Sequence, residues 1–385
     1  MACARLSRPS ANGGGRHDPQ PPQRTACPAA AKAGKMTADG RSSLPRGAAR
    51  ALRQMVEAFR ADQAVAGCSV ALGSGDAVLF AGGFGEAAPT QKAGRQSVYR
   101  IGSVSKQFTA ALALAVKDHN PQAAPGGFFD EPIAPWFPEA KFPSSITTGH
   151  LLRHASGLAS YTDFTSFHKD QFRPVAAEDL LKAIAGRDLE FTPGTAGQYS
   201  NSNYFILALL MERMTGTPYK TLMETLILGR LGLGHTRFID NRPRSAFEAM
   251  GADNNGFTRQ RSDLSWVVGA GDLQSSVSDL ALWNQKLLRG DVCSADSRAR
   301  MFESGFINPQ PAVPGERFAM GWMDISRNGR RIHYHQGFIH GFSAVNWLSL
   351  PEGGDSGRFV TVLCNKYLVQ GLPVLAQDLS QIGFS

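Results

Sequence analysis

The sequence predicts an α/β (α+β) chain in two parts: an antiparallel sheet flanked by helices and built from both chain ends, plus an inserted all-helical domain. Strand-like runs carry the first half of this reading. They occur early, in "CSVALGSGDAVLFAGGFG", and return late, in "RRIHYHQG", "FSAVNWLSLP" and "RFVTVLCNKY". Between about residue 118 and residue 270 the texture changes to Pro- and Gly-rich loops separated by helical pieces, which carries the second half. The length, 385 residues, exceeds what one minimal core needs. The boundaries follow: 1–45 for a disordered basic tail, 46–117 with 271–385 for the sheet domain, and 118–270 for the helical domain.

The tail accounts for the charge. Residues 1–53 hold ten Lys and Arg against two Asp and Glu, so the formal +8 of the whole chain leaves the remainder neutral. A tail rich in Gly, Ala, Pro and Arg reads as disordered rather than as a nucleic-acid surface. Its "GGG" and "PQPPQ" interrupt any amphipathic targeting helix, and Met36 offers an alternative start. No run reaches the roughly 18 apolar residues of a membrane span, and the first residues lack the apolar centre of a secretory signal. As written, the chain is expected in the cytoplasm, with no membrane span and no nucleic-acid partner. Cys3, Cys27, Cys68, Cys293 and Cys364 are widely spaced and never in CxxC, so they give no disulfide or zinc pattern. Thiols in a reducing compartment account for them.

Along the chain, "RGAARALRQMVEAFRAD" places Leu52, Met55, Val56 and Phe59 at helical spacing. Two strands around a Ser-Gly-Asp turn come next. The run "SVSKQFTAALALAV" then reads as a helix buried all round. In the middle segment, "AEDLLKAIAG" and "NYFILALLMERMTG" are helical, with Asn203 as a candidate cap. "SDLALWNQKLL" is a further helix with Ser278 as its expected N-cap, and "PVLAQDLSQIGF" is a closing one.

One lysine stands inside the apolar helix. Lys106 loses hydration there unless it is paired, and burial favours its neutral amine. Ser103, three residues earlier, shares its face. A neutral lysine can take a serine proton, so Ser103 and Lys106 form a candidate nucleophile pair; the competing reading is a lysine that snorkels to solvent. A second candidate is Tyr199-Ser200-Asn201, in a turn before an apolar helix. The Tyr199 phenol can share the proton, its pKa lowered by a cationic neighbour, and Asn201 offers a donor and an acceptor to a substrate amide. The alternative is a packed ring and a turn-forming Asn. In a third, His335 precedes Gly337 on a strand, and the N–H of Phe338 can join that of Ser103 as an oxyanion hole. His333 points the same way as His335; a metal pair is the weaker reading, since no clear ligand set completes it.

Taken together and in this order, S-x-x-K, Tyr-x-Asn and His-x-Gly resemble the serine β-lactamase and penicillin-binding protein family, in its class C and D-alanyl carboxypeptidase branch. "LLRHASGLASY", "GRLGLGHTRF" and "GAGDLQSSVSDLALW" also look like family segments in family order. The resemblance covers nearly everything from about residue 50 onward. It implies a β-lactamase/transpeptidase-like fold with the site between sheet and helical parts. Ser103 would be the acylated nucleophile, Lys106 and Tyr199 the proton-transfer pair, and Asn201, His335, Gly337 and Phe338 the substrate-binding set, with no cofactor and no metal. The implied activity is a serine hydrolase acting on a small-molecule or short-peptide substrate: a β-lactam, a D-amino-acid peptide or a carboxylic ester. A catalytically inactive relative that binds or self-assembles is the alternative. His335 stands where the family's β-lactam-destroying members usually carry Lys, which resembles its peptidases and esterases instead. Arg330 and Arg331, just upstream, are read first as solvated surface cations, with compensation for the missing lysine as the alternative.

Overall fold

Continuous burial marks the central strands of the sheet. In the computed structural model, which describes residues 42–120, 127–240, 247–253, 256–258, 263–327 and 329–382, the early and late strands join into one eight-stranded antiparallel sheet. Its order is Gln91–Lys92, Val78–Ala88, Gly67–Ser74, Arg358–Cys364, Phe342–Ser349, Arg330–Ile339, Trp322–Arg327, Arg317–Ala319. The two chain ends meet where Gly67–Ser74 pairs with Arg358–Cys364, in a register that sets Cys68 opposite Cys364 as free, buried thiols. Both strands are buried on both faces because helices cover both sides.

Side chains of successive residues face opposite ways, so each strand feeds two cores. Val70, Val345 and Val362 pack with Leu52 and Val56 of the helix Arg46–Asp62 and with Leu372, Leu375 and Leu379 of the helix Leu372–Leu379. Ala71, Ala344 and Leu363 belong to the other core, with the helices Ser105–His119 and Val277–Arg289. There Phe108 stacks on Trp283 with ring centroids 4.2 Å apart. The helix Ser105–His119 is buried continuously from Ser105 to Val116, which explains its all-round apolar sequence. On its far side lies the equally apolar helix Asn201–Thr215, which ends at Gly216 in the left-handed conformation.

Asp39–Ser385 forms one compact unit. Several details differ from the sequence reading. The middle segment carries helices but also short strands, Arg237–Phe238, Ala252–Asp253 and Gly256–Phe257, so it is not wholly helical. Ser276, not Ser278, caps the helix Val277–Arg289, accepting from the Asp279 N–H, while Ser278 Oγ donates to the Arg95 carbonyl. Asn203 lies inside its helix rather than at the cap. The strands Arg317–Ala319 and Trp322–Arg327 have no counterpart among the expected elements. The tail reading, with Cys3, Cys27 and Met36, falls on residues outside those described. Among the described residues no helix is long and apolar enough to cross a membrane.

Candidate active site

Two glycines let a strand edge touch a helix start. Gly102 has φ +48, and a Cβ on it would stand 2.9 Å from the Phe338 nitrogen; a Cβ on Gly337 would stand 1.9 Å from the Ile101 carbonyl oxygen and 3.0 Å from the Ser103 nitrogen. The strand Arg330–Ile339 therefore lies directly against the turn Gly102–Val104. Ser103 sits in that single 3₁₀ turn, just before the helix rather than inside its first turn, and Lys106 is the helix's second residue.

Lys106 is fully buried. Its Nζ lies 2.7 Å from Asn201 Oδ1, 2.7 Å from the Ala270 carbonyl oxygen and 3.1 Å from Ser103 Oγ. Burial pulls its pKa well below the ordinary lysine value, against the opposing pull of Asp272. The first two partners can only accept. A neutral amine spends both its N–H groups on them, which directs its lone pair at Ser103 Oγ. From the other side the Tyr199 hydroxyl donates to Ser103 Oγ at 2.8 Å. Ser103 is thus poised to donate to the amine while accepting from the phenol. Lys106 Nζ also lies 5.0 Å from the Tyr199 ring centroid and 5.6 Å from that of Tyr204.

The expected lowering of the Tyr199 pKa does not occur. Burial, only partly opposed by the Ser103 hydrogen bond, raises it well above the ordinary phenol value. Tyr199 is therefore a donor in the resting site. Asn201 also departs from its expected role, because Oδ1 is engaged by Lys106 and Nδ2 donates to Thr162 Oγ1 at 3.1 Å. It holds Lys106 and lines the cleft at the same time.

Behind the triplet stands His154, whose part the sequence did not reveal. Its φ of +56 is left-handed, uncommon for a residue with a Cβ. Its Nδ1 accepts from the Ser200 N–H at 3.1 Å, and its ring lies 4.6 Å from that of Tyr199. Asp272 is the other unforeseen residue. Its Oδ2 accepts from the Gly269 N–H at 2.8 Å, Oδ1 is buried without a partner, and burial raises its pKa to about 7. Its only signal in the sequence is its place in the resembling segment "GAGDLQSSVSDLALW".

His335 is buried beside Tyr199, with ring centroids 6.0 Å apart. Burial, and then the charge of Lys106, lowers its pKa to about 3. The two-residue link His340–Gly341 makes Ile339 and Phe342 the closing hydrogen-bonded pair of their hairpin. Alternation then turns the Phe338 N–H away from the strand Phe342–Ser349, toward the turn that holds Ser103. His333, though on the same face as His335, is engaged elsewhere, with the Phe302 carbonyl at 3.2 Å. Arg330 and Arg331 are held by Asp355 and Asp324 and line neither cleft.

Two clefts of about 320 Å³ each open on either side of Ser103. One is walled by Tyr161, Phe167, Val267 and Ile339, with His340 stacked on Tyr367. The other is walled by Gln198, Tyr199, Asn308, Glu316, Tyr334 and His335. The segment 161–175 contributes to both clefts, through Tyr161 and Phe167 in one and Asp163 in the other.

The family model for Beta-lactamase matches residues 52–372. The chain belongs to the β-lactamase family. A penicillin-binding protein of Bacillus subtilis (strain 168) is 25% identical over 297 residues, covering 72% of this chain and 64% of that protein. Protein flp of Staphylococcus aureus (strain MRSA252) is 25% identical over 271 residues, covering 67% of this chain and 50% of that one. The chain thus spans between half and two thirds of the length of these relatives. Solved structures share the fold. The octameric penicillin-binding protein homologue from Pyrococcus abyssi superposes with TM-score 0.73 at 24% identity, over 85% of this chain and 75% of that one. A D-stereospecific amidohydrolase from Streptomyces sp. does so with TM-score 0.73 at 23% identity, over 87% and 99%. D-amino acid amidase from Ochrobactrum anthropi SV3 gives 0.72 at 19%, over 86% and 99%. The fold is that of the serine hydrolases of the β-lactamase and penicillin-binding protein family.

Proposed function

We propose that this chain hydrolyses amides or esters through an acyl-enzyme on Ser103. The observation that carries the reading is the pair of acceptors on Lys106: Asn201 Oδ1 and the Ala270 carbonyl occupy the two protons of a neutral amine and leave its lone pair facing Ser103 Oγ. Ser103 Oγ attacks the substrate carbonyl carbon as its proton passes to Lys106. The oxygen of that carbonyl takes up negative charge between the N–H groups of Ser103 and Phe338. Tyr199, a phenol held protonated by burial, donates to the leaving group and is reprotonated through Lys106. Water then attacks the acyl carbonyl with Lys106 as base, releasing the acid and restoring Ser103.

Amide hydrolysis is the favoured form of the reaction, supported by the shared fold with a D-amino acid amidase and a D-stereospecific amidohydrolase. The test is intact mass over time after mixing with a penicillin, an amino-acid amide and a p-nitrophenyl ester, beside Ser103→Ala. Acyl adducts, or turnover, that the variant lacks are the expected result. A variant as active as the parent overturns the reading.

A further inference from the structure

Glu316 is 1% exposed, yet it lines the cleft at Ser103. Asn308 Nδ2 donates to its Oε1 and the Tyr334 hydroxyl to its Oε2. Burial pushes its carboxyl above the ordinary range, and the groups that favour its ionised form are all neutral: Tyr334, Asn308 and the backbone at Ala312 and Val313. Among the described residues no lysine or arginine lines this cleft. A carboxylate in a dry wall is costly without a cation, and here nothing in the wall supplies one.

His335, 3% exposed, lies in the same wall. Its Nδ1 is 2.5 Å from the Gln336 carbonyl oxygen, which can only accept, so Nδ1 carries the ring proton. Nε2 is then obliged to be an acceptor, and it is buried without a partner. A neutral imidazole in this tautomer cannot donate to a substrate carboxylate. The wall therefore holds a buried acceptor in His335 and a buried carboxylate in Glu316, and exposed Asp163 also lines the cleft.

We propose that this cleft receives a primary ammonium group of the substrate, so that the preferred amides and esters bear a free amino group rather than a carboxylate. This rests on the acyl-enzyme reading and deepens it. The ammonium supplies the missing cation to Glu316 and N–H donors to the wall, and it needs no rearrangement of Ser103, Lys106 or Tyr199.

The test compares kcat/KM for matched esters. One pair varies the acyl part, phenylalanine methyl ester (each enantiomer) against methyl 3-phenylpropanoate; the other varies the leaving group, 2-aminoethyl benzoate against propyl benzoate. A preference of about tenfold or more for the amino member of either pair is expected, and Glu316→Gln should reduce that ratio to near unity. The pair that shows it tells which side of the scissile bond lies in the cleft. Equal rates within both pairs in the parent protein overturn the proposal, independently of whether the Glu316 variant folds. Hydrolysis of no ester at all, with no adduct on Ser103, is instead the failure of the acyl-enzyme reading, and the proposal falls with it.

Discussion

A Cβ on Gly337 would stand 1.9 Å from the Ile101 carbonyl oxygen, closer than any real contact of that kind. The obstacle is backbone on both sides, so no side chain can rotate away. Gly337→Ala must push the strand Arg330–Ile339 off the Gly102–Val104 turn, separating the N–H of Phe338 from that of Ser103. Rates of acylation should fall about 100-fold, the scale of losing an oxyanion donor, with far-UV circular dichroism unchanged. Steady-state kinetics with a p-nitrophenyl ester checks this, and a near-normal rate would mean that the Phe338 N–H plays no part.

The Asp272 anion favours the ammonium form of Lys106, since each raises or lowers the other's pKa in the direction of an ion pair. The other titratable groups that sense Asp272, Tyr161 and Tyr219, are phenols held neutral by burial. Asp272→Asn keeps an acceptor for the Gly269 N–H and removes the charge. Lys106 then loses its proton at lower pH, so the acid limb of kcat/KM should move to lower pH while the plateau changes only a few fold. A purely structural role for Asp272 would lower the plateau and leave the limb in place.

Much of this was legible in the chain. Ser103, Lys106 and Tyr199 announce themselves because a lysine in an apolar helix needs a partner, and the hairpins survive because alternation is written locally. The strands between Arg317 and Arg327 escaped because "RFAMGWMDISR" mixes Met, Gly and Trp without a clean period of two. The sign of the Tyr199 shift was misread because a nearby cation is visible in a motif, whereas the burial that outweighs it depends on His154 and Phe318, distant in sequence. For the same reason Asp272 and Glu316 read as ordinary solvated acids until the fold encloses them.

His335 makes acid stability a test of burial. Its folded pKa, about 3, lies below the ordinary histidine value of 6.5, so between those limits the unfolded chain binds more protons than the folded one. Its contribution is complete above pH 6.5 and is lost as pH falls toward 3, at about 1 kcal/mol per pH unit. His333, lowered to about 4, and His154 act in the same sense, whereas the raised acids Asp272 and Glu316 act in the opposite one. The comparison is therefore differential. From pH 6.5 to pH 4.5, urea denaturation should show the parent losing more stability than His335→Gln; parallel losses would mean that His335 is protonated in the folded state.

Under the helix Ser105–His119 lies a buried polar cluster whose loss should be felt in stability before activity. Asn346 Nδ2 donates to Gln107 Oε1 at 2.9 Å and to Asn284 Oδ1 at 2.9 Å, while its Oδ1 accepts from Asn284 Nδ2 at 2.7 Å and from Thr361 Oγ1 at 2.7 Å. All four residues are fully buried, and they tie the helix Ser105–His119 and the helix Val277–Arg289 to the two central strands. Asn346→Ala strands donors and acceptors on three neighbours in a place water does not reach, which should cost about 3 kcal/mol. Thr361→Val keeps the shape but removes the donor to Asn346 Oδ1 and the weaker acceptor for Asn284 Nδ2, so about 1 kcal/mol is expected. Gln107 is the residue after Lys106, so loosening it should also slow acylation a few fold in Asn346→Ala. If chemical denaturation finds both variants equally stable to the parent, the cluster is not a unit and the helix is held by its apolar face alone.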